Sequence, residues 1–293
     1  MREMKYRRVG VSLIEILIVL GILAILFGLI LVAVQKVRLA GMRAASENNL
    51  RQIVLGFHQL SDQRAGIIKN LTQTELPKKA EYKEESIFYA ILPWTYGERK
   101  YVFPPQSEAD YDTIFGPKVA VYLDPADPSL DYHPVFQSSK RKICYVANIL
   151  SFEGQINYPF TIQDGTTNTI AFAQHYFYCK ATEEVLDYTK IFASTDVSRG
   201  GGFRRATFAD KGWGDVMPVV NPGQPTTPSQ PGKTFQVSPR VEDANSRVPQ
   251  SPFPSGLPVA LFDGSVRTLS PSIHESIFWG LVTPSGGEVL GDY

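Results

Sequence analysis

The sequence predicts an α+β protein, one long N-terminal helix packed on a β-rich globular domain with an antiparallel sheet. Three observations carry that prediction. Residues 11–34 form an apolar run interrupted only by Ser12 and Glu15. From Gln35 to Gln63 there is no Pro, and apolar residues recur at three- and four-residue spacing. Beyond residue 64 the pattern changes to short segments rich in β-branched and aromatic residues, separated by Pro and Gly.

The apolar run comes first. As a helix, the 24 residues from Val11 to Val34 extend about 36 Å at about 1.5 Å per residue, enough to cross a hydrocarbon core of about 30 Å. A secretory signal has a shorter apolar core and a small-residue cleavage site, and neither is found here. Arg2, Lys5, Arg7 and Arg8 outnumber Glu3 ahead of the run, which favours a cytoplasmic N-terminus, and Lys36 and Arg38 beyond it reduce that bias. Glu15 is the anomaly. An isolated charge at the centre of a membrane helix costs roughly 2.5 to 3.5 kcal/mol, so the acid needs a partner or a route to the interface.

The second half of the helix, 35–63, carries the stripe Val37, Ala40, Ala44, Leu50, Ile53, Val54, Phe57 and Leu60, suited to packing under the globular domain 64–293. Gly41 and Gly56 weaken it by about 1 kcal/mol each relative to Ala, which allows a local kink. Ala24 and Gly28 make a small-xxx-small pair of a kind that is common by chance in apolar segments.

Downstream, "EESIFYAILPW" at 84–94 reads as a short helix ended by Pro93. "KVAVYL", "KICYVANIL" and "NTIAFAQHYFY" read as strands. Residues 218–233 hold five prolines and two glycines and read as an extended surface loop or linker. "LPVALFDGSVRTLS" joins two apolar runs through Asp263-Gly264, residues that tolerate the positive φ of a tight hairpin. Ser272 and Glu275 form a capping box for a helix through Trp279.

Two resemblances follow from quoted residues. "RRVG" followed by "VSLIE" resembles the N-terminal signature of type IV prepilins and type II secretion pseudopilins. The resemblance implies a leader of residues 1–10, cleavage after Gly10 on the cytoplasmic side by a prepilin peptidase, N-methylation of Val11, and an assembly role for Glu15. Val11 departs from the commoner Phe or Met, which bears on processing efficiency. Cleavage would place an amine four residues from Glu15, and in a bundle of such helices the amine of one subunit meets the carboxylate of its neighbour. The alternative reading of Glu15 is an acid snorkelling from an ordinary anchor.

The segments "AILPW", "YLDPADPS", "CYVAN", "IQDGTTNTIAFAQ" and "LFDGSVRTLSPSI…GGEVLGDY" occur in the order found in the large planctomycete-type family of prepilin-like proteins with a C-terminal domain of unknown function, once labelled solute-binding-like. The likeness covers nearly the whole chain. Two positions depart from it: Phe253, where the family often has His, and Val32, where it tends to have Pro. The first argues against His-dependent chemistry and the second for a less kinked helix.

Composition agrees with an exported domain. About 230 of the 293 residues follow the helix, enough for one sizeable core or two. The precursor has no net charge, and loss of residues 1–10 leaves 25 basic residues against 28 acidic. No basic patch interleaved with aromatics points to nucleic acid. Cys144 and Cys179 either pair in an oxidising periplasm or stand as buried thiols.

Catalysis finds little support. His58, His133, His175 and His274 are scattered without metal-ligand spacing, and "RGGGF" at 199–203 lacks the Lys-Ser/Thr of a phosphate loop. Asp124, Asp127 and Asp131 in one loop and Asp164 with Asn168 in another are oxygen donors of the type calcium prefers, and some pseudopilins bind calcium. Asp-Pro and Asp-Gly are equally turn formers, and that reading is preferred, leaving no cofactor implied.

The expectation is therefore a single-pass inner-membrane protein with its N-terminus cytoplasmic and its domain periplasmic. It would assemble with other pilin-like subunits into a pilus-like or secretion-associated filament. The alternative is a membrane-tethered binding protein that does not polymerise.

Overall fold

A computed structural model describes residues 12–68, 86–95, 118–132, 141–152, 155–187, 202–209, 218–219, 227–228 and 234–287. The chain divides into two compact units, Met1–Met42 and Arg43–Tyr293. Helix α1, Leu13–Gln63, begins in the first and ends in the second. It runs as one helix through Gly41 and Gly56.

In the larger unit α1 buries Ser46, Leu50, Ile53, Val54, Gly56, Phe57, Leu60 and Ser61. The stripe is therefore right from Leu50 onward, whereas Val37, Ala40 and Ala44 are exposed. Phe57 is the hub of this face: it meets Phe152, Tyr158 and Phe262 edge-on at centroid distances of 5.4, 5.2 and 5.6 Å. Such edge-to-face pairs add to the gain from burying the rings.

After α1 come β1 (Ile67–Ile68), α2 (Ile87–Ala90), α3 (Leu92–Thr95), β2 (Tyr145–Asn148), α4 (Ile149–Phe152), β3 (Ile156–Asn157), β4 (Ile170–Gln174), β5 (Tyr178–Cys179), β6 (Glu184–Asp187) and β7 (Gly202–Arg205). β8 (Thr207–Phe208), β9 (Pro218–Val219), β10 (Thr227–Pro228), β11 (Gln236–Val237), β12 (Gln250–Ser251), β13 (Leu257–Leu261), β14 (Val266–Leu269) and α5 (Glu275–Val282) complete the described strands and α-helices. The main sheet has the order β14-β13-β4-β2-β8. Its pairs are antiparallel, as expected, except β2–β8, which is parallel and makes the sheet mixed. β2, β4 and β13 are buried at every residue, as befits central strands covered on both faces. A second sheet, β5-β6-β7, is also mixed.

Several local expectations are corrected. "KVAVYL" forms a 3-10 turn at Ala120–Tyr122, not a strand, because the buried residues are Val119 and Tyr122, three apart. Pro93 does not end a helix: it lies in the first turn of α3, where its missing N–H leaves no bond unmade. The predicted N-terminal part of that helix, residues 84–85, lies outside the described residues. "KICYVANIL" is a strand only through Asn148 and turns into α4. Most of 218–233 lies outside the described residues, and its described parts, β9 and β10, pair with each other.

The hairpin β13–β14 is present, with a longer turn than Asp-Gly alone predicts. Gly264 N–H donates to Leu261 O at 3.0 Å, and only Gly264, at φ +91°, takes the left-handed conformation. α5 is capped by His274, whose ring accepts from Ser276 N–H, and not by Ser272. Glu275 then stands at the first helical position, two residues before the third position that a capping box requires.

Candidate functional site

Two features of the chain stand out as sites, one in each unit. The first is the N-terminal part of α1. Every Leu, Ile, Val and Phe from Leu13 to Leu39 is at least 42% exposed, and the helix is long and apolar enough to cross a membrane. An ordinary soluble protein does not leave so large an apolar surface uncovered. Within it Glu15 is the single acid, and its Oε2 accepts from the backbone N–H of Ser12 at 2.8 Å. Ser12 O accepts in turn from Glu15 N–H and Ile16 N–H, at 3.1 and 3.3 Å. Glu15 thus occupies the third helical position and satisfies a donor at the positive end of its own helix. Gly10 and Val11, the expected cleavage and methylation positions, lie outside the described residues.

The second feature is a buried polar junction between the globular part of α1, the 118–132 segment and the main sheet. Asp124 is fully buried. Its Oδ1 accepts from Ser46 Oγ at 2.7 Å and from Ala126 N–H at 2.8 Å, and its Oδ2 accepts from Gln174 Nε2. One helical turn on, Asn49 Nδ2 donates to Leu123 O and Tyr145 Oη, both at 3.1 Å. Asp127 accepts from Ser129 N–H and Oγ at 2.8 and 2.7 Å and from Phe177 N–H at 2.8 Å. Burial raises the Asp124 carboxyl to about 7, opposed by the Ser46 and Ala126 hydrogen bonds. Burial likewise raises Asp127, Cys144 and Tyr145.

The oxygen donors considered for calcium are engaged by the protein itself. Asp164 accepts from Gly286 N–H at 2.6 Å and Gly287 N–H at 2.9 Å, so the loop of the "QDGTTN" stretch holds the chain after α5. Asp131 lies on the exposed end of its segment, and Asn168 Nδ2 donates to Asp164 O at 3.4 Å. Among the described residues no three His, Cys, Asp or Glu side chains converge as a metal site. Asp263 makes a turn of its own, its Oδ1 accepting from Ser265 N–H and Oγ at 2.8 and 2.7 Å. Asp263 N–H and Phe262 N–H donate to Thr166 O and Thr169 O at 3.0 and 3.1 Å, so the hairpin turn docks on the same loop that carries Asp164.

Cys144 and Cys179 are buried and not disulfide-bonded. His58 Nε2 lies 2.7 Å from Phe262 O, and the ring nitrogens of buried His175 lie 2.6 and 3.0 Å from Tyr176 O and Ser246 O. His274 is the α5 cap, and His133 lies outside the described residues. Sequence reasoning missed Ser46, Asn49, Tyr145 and Gln174. One signal was available: Ser46 and Asn49 are polar and sit four and one residues before Leu50, where the apolar stripe of α1 continues toward its N-terminus. No family model, curated protein or solved structure matches the chain.

Proposed function

We propose that this protein is a prepilin-like structural subunit, inserted in the inner membrane through α1, cut after Gly10, and assembled through the exposed half of that helix with other copies or pilin-like partners. The observation that carries the reading is the placement of Glu15, one acid near the start of an otherwise uncharged apolar stretch that is exposed along its length. A membrane or neighbouring helices of the same kind would cover that surface, and a neighbour's terminal amine would compensate the acid. The globular unit would then lie on the periplasmic side, and the reading assigns it no catalytic role.

One observation favours the second reading, a tethered protein that does not polymerise. The Ser12–Glu15 hydrogen bond gives Glu15 a use inside its own chain. The two readings separate with two substitutions. Glu15→Gln keeps an acceptor for the Ser12 N–H and removes the charge; Glu15→Ala removes both. The assembly reading predicts that either variant inserts in the membrane and that neither is recovered in sheared filaments. If filaments persist with Gln and fail only with Ala, capping is the role of Glu15. If wild type yields no filaments while remaining membrane-bound, the tethered reading stands.

A further inference from the structure

His175 is fully buried and meets an acceptor at each of its ring nitrogens. Nδ1 lies 2.6 Å from Tyr176 O, and Nε2 lies 3.0 Å from Ser246 O. A carbonyl oxygen only accepts, so each contact needs an N–H on the ring. A neutral imidazole has one N–H, and its other nitrogen would set a lone pair against a carbonyl lone pair at one of these distances. Turning the ring over puts carbons at both positions and gives neither carbonyl an N–H. The imidazolium, with a proton on each nitrogen, satisfies the two contacts together.

A buried cation is tolerated where anions and hydrogen-bond acceptors stand around it. Glu184, 8% exposed at the start of β6, accepts from Ser246 Oγ, so Ser246 receives His175 on its carbonyl and reaches Glu184 with its hydroxyl. Thr182 Oγ1 donates to the same hydroxyl at 2.9 Å. From the 118–132 segment, Asp124 and Asp127 accept from Gln174 Nε2 and Phe177 N–H, on either side of His175 in the chain. The other titratable neighbours are engaged in neutral contacts. Cys144 O accepts from His175 N–H at 2.9 Å, Tyr176 Oη donates to Pro239 O at 3.1 Å, and Cys179 Sγ donates to Gln250 Oε1 at 3.7 Å. The basic side chains on these elements are Arg247, half-buried beside Ser246, Lys142, which donates to Leu130 O, and the exposed Lys180, which donates to Tyr132 Oη.

We propose that His175 is a buried imidazolium that pins the 236–251 segment to the end of β4, its charge balanced by Glu184 across Ser246. When the proton leaves Nε2, the nitrogen lone pair opposes Ser246 O and the longer of the two contacts gives way. The segment stays attached through Tyr176 N–H to Gln250 Oε1 and Lys180 N–H to Val241 O, both at 3.1 Å, so the response is local to Ser246. The fold holds the ring protonated at a pH where a free imidazole is neutral, so the stability the cation contributes is lost as pH rises through its own titration. Every residue of the pin belongs to Arg43–Tyr293, and the proposal does not depend on the assembly reading.

The test is nitrogen-edited NMR of the histidine rings in the full-length protein in detergent micelles, with His175 assigned by His175→Gln and amide exchange followed at Ser246. At pH about 7.5, where an ordinary imidazole titrating at about 6.5 is about nine-tenths neutral, His175 should carry a proton on both ring nitrogens. Protection of the Ser246 amide should fall at the higher pH at which the ring loses one of them. Glu184→Gln keeps an acceptor for Ser246 Oγ and removes the charge, and it should lower the His175 midpoint by about one pH unit. A bare ring nitrogen on His175 at pH about 7.5 overturns the imidazolium. An unmoved midpoint in Glu184→Gln overturns the balance by Glu184, and a Ser246 amide indifferent to the titration overturns the pin. If His175→Gln does not fold, His58→Gln, His133→Gln and His274→Asn, made singly, assign the other three rings and leave His175 by exclusion.

Discussion

Glu15 and Asp124 are carboxylates in opposite settings. One lies on an exposed helix start and accepts from the Ser12 N–H, while the other is fully buried and faces a like charge. For Asp124 the sign of the pH effect follows from linkage. Its folded pKa, about 7, lies above its ordinary 3.8, so its stabilising contribution is complete below the lower value and is lost as pH rises through the upper. At about 1.4 kcal/mol per unit, the full effect is of the order of 4 kcal/mol. Thermal unfolding in neutral detergent should therefore occur at higher temperature at mildly acidic than at mildly alkaline pH, with most of the difference absent in Asp124→Asn. Asp127, also raised by burial, acts in the same direction. The sequence marked Asp124 as an oxygen donor in a turn, and its bond to Ala126 bears out the turn. Its partners Ser46 and Gln174 are 78 and 50 residues away, and nothing local to either announces the contact.

At the scale of elements, the two glycines of α1 differ in kind. An added Cβ at Gly41 meets nothing within 4 Å, whereas at Gly56 it meets Thr95 Cγ2 at 3.1 Å and Ile91 Cβ at 3.5 Å. Gly56 is therefore where α3 and the residue before it come close to α1, a reason for glycine invisible to helix propensity alone. Gly41→Ala should stabilise the helix by about 1 kcal/mol. Gly56→Ala should recover less than that or destabilise, because the same propensity gain is opposed by the tight contact. Thermal unfolding of the two variants side by side measures the difference. Legibility was best where one period dominated: α1 by its apolar content and its stripe from Leu50, and β2, β4, β13 and β14 by β-branched and aromatic residues. It failed at "KVAVYL", where β-branched and aromatic content suggested a strand, and at Ser272. There the chain first turns on Ser270, through Ile273 N–H to Ser270 O at 3.0 Å, before the helix begins.

For the molecule as a whole, the division into a long apolar segment and a globular domain was readable from composition, because the two parts solve different solvation problems. In Arg43–Tyr293 the side chains of the central strands and of α1 from Leu50 onward are buried against each other. In the helical part of Met1–Met42 the large apolar side chains of the described residues are exposed. The segments "IQDGTTNT", "LFDGS" and "GG" lie far apart in sequence, and the fold joins them through the Asp164–Gly286–Gly287 and Asp263–Thr166 hydrogen bonds. That convergence could not be read from their spacing. The central claim, that the apolar helix begins at a processed end and serves assembly, is tested most directly by the intact mass and N-terminal peptide of the protein from its native membrane. The account predicts a chain that begins at methylated Val11; an intact Met1 terminus would contradict it.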